Sequence, residues 1–330
     1  MADAVMSGLQ SVGIENSKLR RLARMRLGDA AFRGVTLAAA IAVLVLLGGV
    51  ILSLVYGSIP AFSTFGLDFI TTQRWNPVTE KFGALAPIYG TVVTSIIALL
   101  IAVPVGLGIA IFLTELCPSW LKRPIGVAIE LLAGIPSIIY GIWGLFVFAP
   151  FFQATVQPFL IDLFAPIPIL SDIFAGPPYG IGILTAGIIL AIMVLPFITS
   201  ISRDVFDTVP AVLKEATYGL GCTKGEVITK VVLPYSRVGV IGGIMLGLGR
   251  ALGETMAVTF VIGNAHKISA SILAPGTTIS ASIANEFTEA VGELYTSSLI
   301  ALGLILFVIT FMVLAAARFM LMRMNAKAGN

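Results

Sequence analysis

The stretch PAVLKEATYGLGCTKGEVITKVVLP, residues 210–234, lies between two long apolar runs, and its reading decides the architecture. Pro210 suits the first turn of a helix, because its missing N–H falls where no intrahelical partner exists, and the helix formers that follow run up to Gly219 and Gly221, which can close it. Leu213, Ala216 and Leu220 then share one face at spacings of three and four. The segment reads as a short amphipathic helix at a membrane surface. Tied to an apolar run on each side, such a helix is suited to pass force from a soluble partner into a membrane.

Working outward, 58% hydrophobic content, 11% charge and a mean hydropathy of +1.02 exclude an ordinary soluble protein. A bilayer core roughly 30 Å thick needs about 20 apolar residues per helix. Six stretches qualify, approximately Val35–Tyr56, Pro87–Leu113, Ile125–Phe152, Gly180–Ile201, Val238–Gly263 and Ser297–Ala317. Pro104, Pro136 and Pro196 sit inside the apolar runs as candidate kinks. Lys18, Arg20, Arg21, Arg24, Arg26 and Arg33 precede the first run, and the positive-inside rule places that flank in the cytoplasm. With six spans alternating, 16 of the 20 basic residues fall inside, and Arg74, Lys81 and Lys267 fall outside. The net charge of +3 is too small and scattered for a nucleic-acid surface.

The first span is expected to be retained rather than cleaved, since it begins some 34 residues in and no small-residue cleavage site ends it. Cys117 and Cys222 fall on the predicted cytoplasmic side and are too far apart for a metal motif; no metal site and no catalytic residue is expected. Among the outside loops, Gly57–Ala86 carries aromatic and charged residues, Gln153–Tyr179 is Pro-rich, and Asn264–Thr296 holds Glu286, Glu289 and Glu293 at helical spacing. Those three carboxylates read as the solvated face of a short surface helix. His266, the only histidine, reads as a surface residue, and Glu130 as a snorkelling or cytoplasmic contact.

Arg250 and Glu254 are the only charges deep in a predicted span, and at i and i+4 they would share one helix face. Each alone costs roughly 2.5 to 3.5 kcal/mol at a bilayer centre, so both should face protein or a water-filled path. A guanidinium offers an anion a planar fork of donors, with Glu254 as its resting counter-ion; a plain structural ion pair is the other reading of the same two residues. Pro136 and Ser137 interrupt the third span, where freed backbone groups either line a path or make a tolerated kink. Gly239, Gly243 and Gly247, and Gly249 with Gly253, recur in four-residue steps and predict close packing against a partner's equivalent helix.

Here the sequence resembles a known family. Glu215-Ala216-Thr217, then Gly221, then Val231, Leu233 and Pro234 match the spacing of the EAA loop of ABC-importer permeases: Glu-Ala-Ala, three residues, Gly, nine residues, Ile-x-Leu-Pro. Thr217 stands for the second Ala and Val231 for Ile. The runs GGIMLGLGRALGETMAVTFVIGN (242–264) and ELLAGIPSIIYGIWGLF (130–146) further resemble the PstC family of phosphate-specific permeases, over nearly the whole chain.

The resemblance implies an all-α membrane protein with the type I ABC importer, MetI-like permease fold: a basic cytoplasmic segment over residues 1–34, a six-helix permease domain over 35–324 with the EAA coupling loop at 202–237, and a cytoplasmic tail over 325–330. It implies residence in the bacterial cytoplasmic (inner) membrane, with both termini in the cytoplasm. It also implies a PstA-like second permease, a PstB-like ATPase dimer coupled through Glu215, Ala216, Thr217, Gly221, Val231, Leu233 and Pro234, a PstS-like phosphate-binding protein, and a phosphate path at Arg250, Glu254 and Ser137. No P-loop occurs in the sequence, so the chain is expected to be no enzyme and to bind no cofactor, with ATP-Mg held by the partner ATPase. A permease for another oxyanion or small solute is the alternative. A secondary transporter would show paired halves, which the sequence lacks, and would leave the EAA spacing unexplained.

Overall fold

A computed structural model describes residues 2–328, with side chains described for 25, 26 and 28–323. Among the described residues, six helices are long and apolar enough to cross a bilayer: Gly28–Phe65, Leu85–Leu116, Ser137–Phe164, Ile183–Asp207, Lys224–Leu252 and Glu293–Arg323. The chain divides into two compact units, residues 1–56 and 57–330. The first is the leading part of helix α1 (Ala2–Phe65), whose apolar side chains, Leu44 and Leu46 among them, are exposed as a lipid-facing span requires. The basic residues up to Arg24 lie outside the residues whose side chains are described, as does the tail beyond Arg323.

Besides two short helices, Asp68–Thr71 and Pro168–Ile173, the second unit holds in chain order α2 (Leu85–Leu116), α3 (Ser119–Ala133), α4 (Ser137–Phe164), α5 (Ile183–Asp207), α6 (Ala211–Gly219), α7 (Lys224–Leu252), α8 (Met256–Val261), α9 (Ile279–Glu286) and α10 (Glu293–Ala328). In lipid the hydrophobic effect does not press helices together, so association depends on close van der Waals approach, which needs small residues. Helix α2 supplies them every fourth position. Gly90, Thr94, Ala98, Ala102, Gly106 and Ala110 are all buried, and Gly106 lies against Ile198 and Thr199 of α5. Helix α5 answers with Gly187 against Ile97. It also takes Gly239, Gly243 and Gly247 of α7, which meet Val205, Ile201, and Ile198 with Val194. The glycine stripe of the fifth span thus packs within this chain, against the span before it, and not on a partner's helix; Gly249 faces Leu314 of α10.

Prolines account for the irregular turns. Among the described residues, π-helical turns occur at Phe112–Leu116, Gly144–Phe148, Phe152–Val156 and Ile228–Val232, each ending two residues before Pro118, Pro150, Pro158 or Pro234. A proline ring clashes with the carbonyl four residues back and offers it no N–H. The turn before each proline is widened: the residue before it bonds five back, as Cys117 N does to Phe112 O at 2.7 Å. Pro104 and Pro196 sit inside α2 and α5 without such a turn.

The expected third span, Ile125–Phe152, is not one helix. Gly134, Ile135 and Pro136 break it, with Pro136 extended at ψ 135°, so α3 ends at Ala133 and the membrane helix starts at Ser137 and continues to Phe164. Residues expected in the loop after Phe152 therefore belong to α4. The expected fifth span, Val238–Gly263, also divides: α7 begins at Lys224 and stops at Leu252, Gly253 to Thr255 are non-helical, and α8 follows.

At the end of the bundle remote from α6, residues 261–278 close over the start of α5. Gly182 N, Ile183 N and Leu184 N donate to the carbonyls of Val261, Ala274 and Ile272, which satisfies helix N–H groups that no side chain caps. The same segment presses on α2 so closely that a Cβ at Gly90 would sit 1.8 Å from Thr277 O. Next to it Trp75 stacks flat on His266, centroids 5.1 Å apart, while Glu286 accepts from Trp75 Nε1 at 2.5 Å and from Tyr295 OH at 2.7 Å. His266 is therefore no surface residue, and burial lowers its proton affinity against the opposing pull of Glu286. Nor do the three glutamates share one helix: Glu286 ends α9 and is largely buried, Glu289 lies in a turn, and Glu293 begins α10. Their periodicity was crossed by a turn that ends at Gly292, φ +97°.

A backbone oxygen cannot rotate out of the way, so Gly90→Ala should destabilise the folded protein by about 1–3 kcal/mol, the usual penalty of overpacking. Gly108, with nothing within 4 Å of its added Cβ, is the control. Thermal unfolding in detergent checks this: the midpoint should drop for Gly90→Ala and hold for Gly108→Ala, and equal midpoints would refute the packing described.

Candidate functional site

Two sites emerge, at opposite ends of α7. Lys224 and Arg250 are separated by 26 residues of helix, roughly 40 Å at 1.5 Å per residue.

At the first end, Pro210 caps α6 with an extended ψ of 131°, and the helix ends where Gly221 takes φ +83°. That left-handed turn sends the chain into Thr223 and Glu226, whose reciprocal capping box opens α7. The expected amphipathic helix is present, and its apolar side chains are unburied: Val212 and Leu220 are 72% and 84% exposed, and Leu213 and Tyr218 are exposed too. Glu215 and Ala216 are likewise exposed, while Thr217 turns its hydroxyl back to Leu213 O at 2.7 Å. Beyond the turn, Val231 and Leu233 pack against an apolar cluster formed by Ala110, Phe206, Val209, Val227, Val232 and Val240, and Pro234 follows the π turn. Cys222 packs against the same cluster.

Ion pairs invisible to local sequence patterns brace this end. Glu130 of α3 meets Arg203 of α5 at 2.8 Å, and Lys122 meets Asp207 at 3.4 Å. Glu115, in the π turn of α2, meets Lys214 of α6 at 2.5 Å. The partners are 73, 85 and 99 residues apart, so no spacing rule pairs them.

At the second end, Arg250 occupies the last turn of α7, where the helix dipole favours a cation. Because the helix stops at Leu252, Arg250 and Glu254 do not share a helical face, and among the described residues no ion pair joins them. The guanidinium carbon instead lies 4.3 Å from the ring centroid of Phe197 on α5, a cation–π contact that leaves its N–H edge free. Glu254 Oε1 accepts from Ala257 N at 3.2 Å and so caps α8. Ser137 opens α4 directly after Pro136. One turn on and on the same face, Gly141 presses against Met256 O and Ala257 Cα, where a Cβ would sit 3.0 and 3.1 Å away. The structure thus brings the first turns of α4 and α8 together, with Ser137 and Glu254 at the starts of the two. Phe197, the residue that holds Arg250, carried no sequence signal beyond following Pro196.

The sequence profile of the family described as binding-protein-dependent transport system inner membrane component matches residues 102–325. The chain is 69% identical to the phosphate transport system permease protein PstC of Mesorhizobium japonicum over 98% of this chain and 100% of that one. It is 59% identical to that of Pasteurella multocida over 90% and 93%. Among solved structures, a chain of the MetNI methionine ABC transporter in an inward-facing form superposes with a TM-score of 0.53 at 16% identity, covering 72% of this chain and 94% of that chain. By these likenesses the chain belongs to the inner membrane components of binding-protein-dependent transport systems, among the permeases of the PstC type.

Proposed function

We propose that this chain is the membrane-spanning permease subunit of an ATP-driven importer of inorganic phosphate. The 69% identity to a phosphate permease over nearly the whole of both chains carries the reading, and the geometry says how the parts serve it. The exposed face of α6 is the dock for a PstB-like ATPase dimer that holds ATP-Mg; this chain supplies no ATP site of its own. A PstA-like permease completes the path, and a PstS-like protein delivers phosphate at the end where residues 261–278 close over α5. The α6 end, both termini and Lys122 with Arg123 face the cytoplasm of a bacterial inner membrane, in keeping with their basic residues.

In the path, Arg250 presents its free fork to phosphate while Phe197 holds the plane of the guanidinium. Ser137 adds a hydroxyl at a helix start, where unpaired N–H groups and the dipole favour an anion. Glu254 supports this arrangement by fixing α8.

Three outcomes test the reading. A cysteine placed at Lys224 should be inaccessible to a membrane-impermeant thiol reagent in intact cells; labelling there would reverse the topology. Gly221→Val forces a β-branched residue into the left-handed region although nothing crowds its Cβ, so the protein should fold, yet lose ATPase association and uptake. Retained association and uptake would count against the dock. Because Arg250 and Glu254 have separate partners, Arg250→Lys leaves no orphaned carboxylate, and it should lower uptake of labelled phosphate roughly ten- to hundredfold at normal membrane levels, the worth of a hydrogen bond to a charged group. Uptake at the unmodified rate would remove Arg250 from the path.

A further inference from the structure

Helix α6 is held to the rest of the chain by very little. Of its nine residues none is buried and only Lys214 and Thr217 are half-buried, and the Thr217 hydroxyl bonds within the helix. Lys214 is the exception: its Nζ lies 2.5 Å from Glu115 Oε1, with the two side chains 20% and 8% exposed. Glu115 does not belong to either span that adjoins α6. It sits in the π turn that ends α2, the helix whose small-residue stripe is pressed along α5.

We propose that the Lys214–Glu115 pair is a strut that carries displacement of α6 into α2, so that the coupling helix moves three spans rather than two. Chain continuity links α6 to α5 through residues 208–210 and to α7 through 220–223, and the ion pair adds the link to α2. The inference rests on α6 being the ATPase dock. A charge pair this sheltered resists separation, because pulling it apart leaves a carboxylate without a partner in a poorly solvated place. The π turn suits the role, since a widened turn ahead of Pro118 projects Glu115 out of the regular ladder while the rest of α2 stays locked to α5.

The test uses the full importer purified with its ATPase, reconstituted in vesicles, and reads phosphate taken up per ATP hydrolysed. Lys214→Gln with Glu115→Gln removes the strut without leaving a lone buried charge. Uptake per ATP should fall about tenfold while ATP hydrolysis continues, within the usual range of coupling between linked sites. The exchanged pair, Lys214→Glu with Glu115→Lys, should recover most of it. A purely structural pair would lower membrane levels in the single variants and leave uptake per ATP unchanged in the neutral double variant, and that result would overturn the strut alone. If no ATPase copurifies with the unmodified chain, the dock fails first and the strut falls with it.

Discussion

Everything in the second unit depends on how closely α5 can be approached. Lipid tails solvate leucine as well as another leucine does, so a bundle in a membrane gains little from covering apolar surface and must gain from tight backbone approach. Helix α5 is gripped by α2, where Gly106 meets Ile198 and Thr199 and Ile97 meets Gly187, and by Gly239, Gly243 and Gly247 of α7. These contacts make α2, α5 and α7 the frame, and both sites are mounted on it: Arg250 where α7 ends beside Phe197 of α5, and α6 between the other ends of α5 and α7.

The second constraint is that no backbone polar group can be left open at membrane depth. The fold meets it where the helices are irregular. Four prolines are preceded by π turns, and the first N–H groups of α5 receive carbonyls from residues 261–274. That capping segment follows α8, which Glu254 in turn caps. Arg250, Glu254 and the closure at the remote end are therefore on one continuous piece of chain. A shift of α7 that moved Glu254 would reach the start of α5 through it.

What the sequence disclosed follows from which forces act locally. Six spans and the short helix α6 were legible because apolar length, a proline at a helix start and a left-handed glycine are properties of a few consecutive residues. The breaks at Gly134–Pro136 and Gly253–Thr255 were not, since an apolar run reads alike whether it is one helix or two. As a result Arg250 and Glu254, placed on one face by counting, are held by Phe197 and by Ala257 N instead. Glu115, Glu130 and His266 found their partners across 99, 73 and 16 or more residues, where only tertiary structure decides. The glycine stripe of α7 was visible, but its partner was not, because small residues announce close approach without naming what approaches.

The account makes the chain a conduit driven from the α6 end by a separate ATPase, in contrast to a carrier driven by an ion gradient. Phosphate uptake into vesicles that contain the importer, with ATP supplied only on the side where α6 is exposed and phosphate-binding protein only on the other, tests this most directly. Uptake that requires both and persists when ion gradients are collapsed is the predicted result. Uptake that proceeds without ATP and vanishes with the ion gradient would contradict the account.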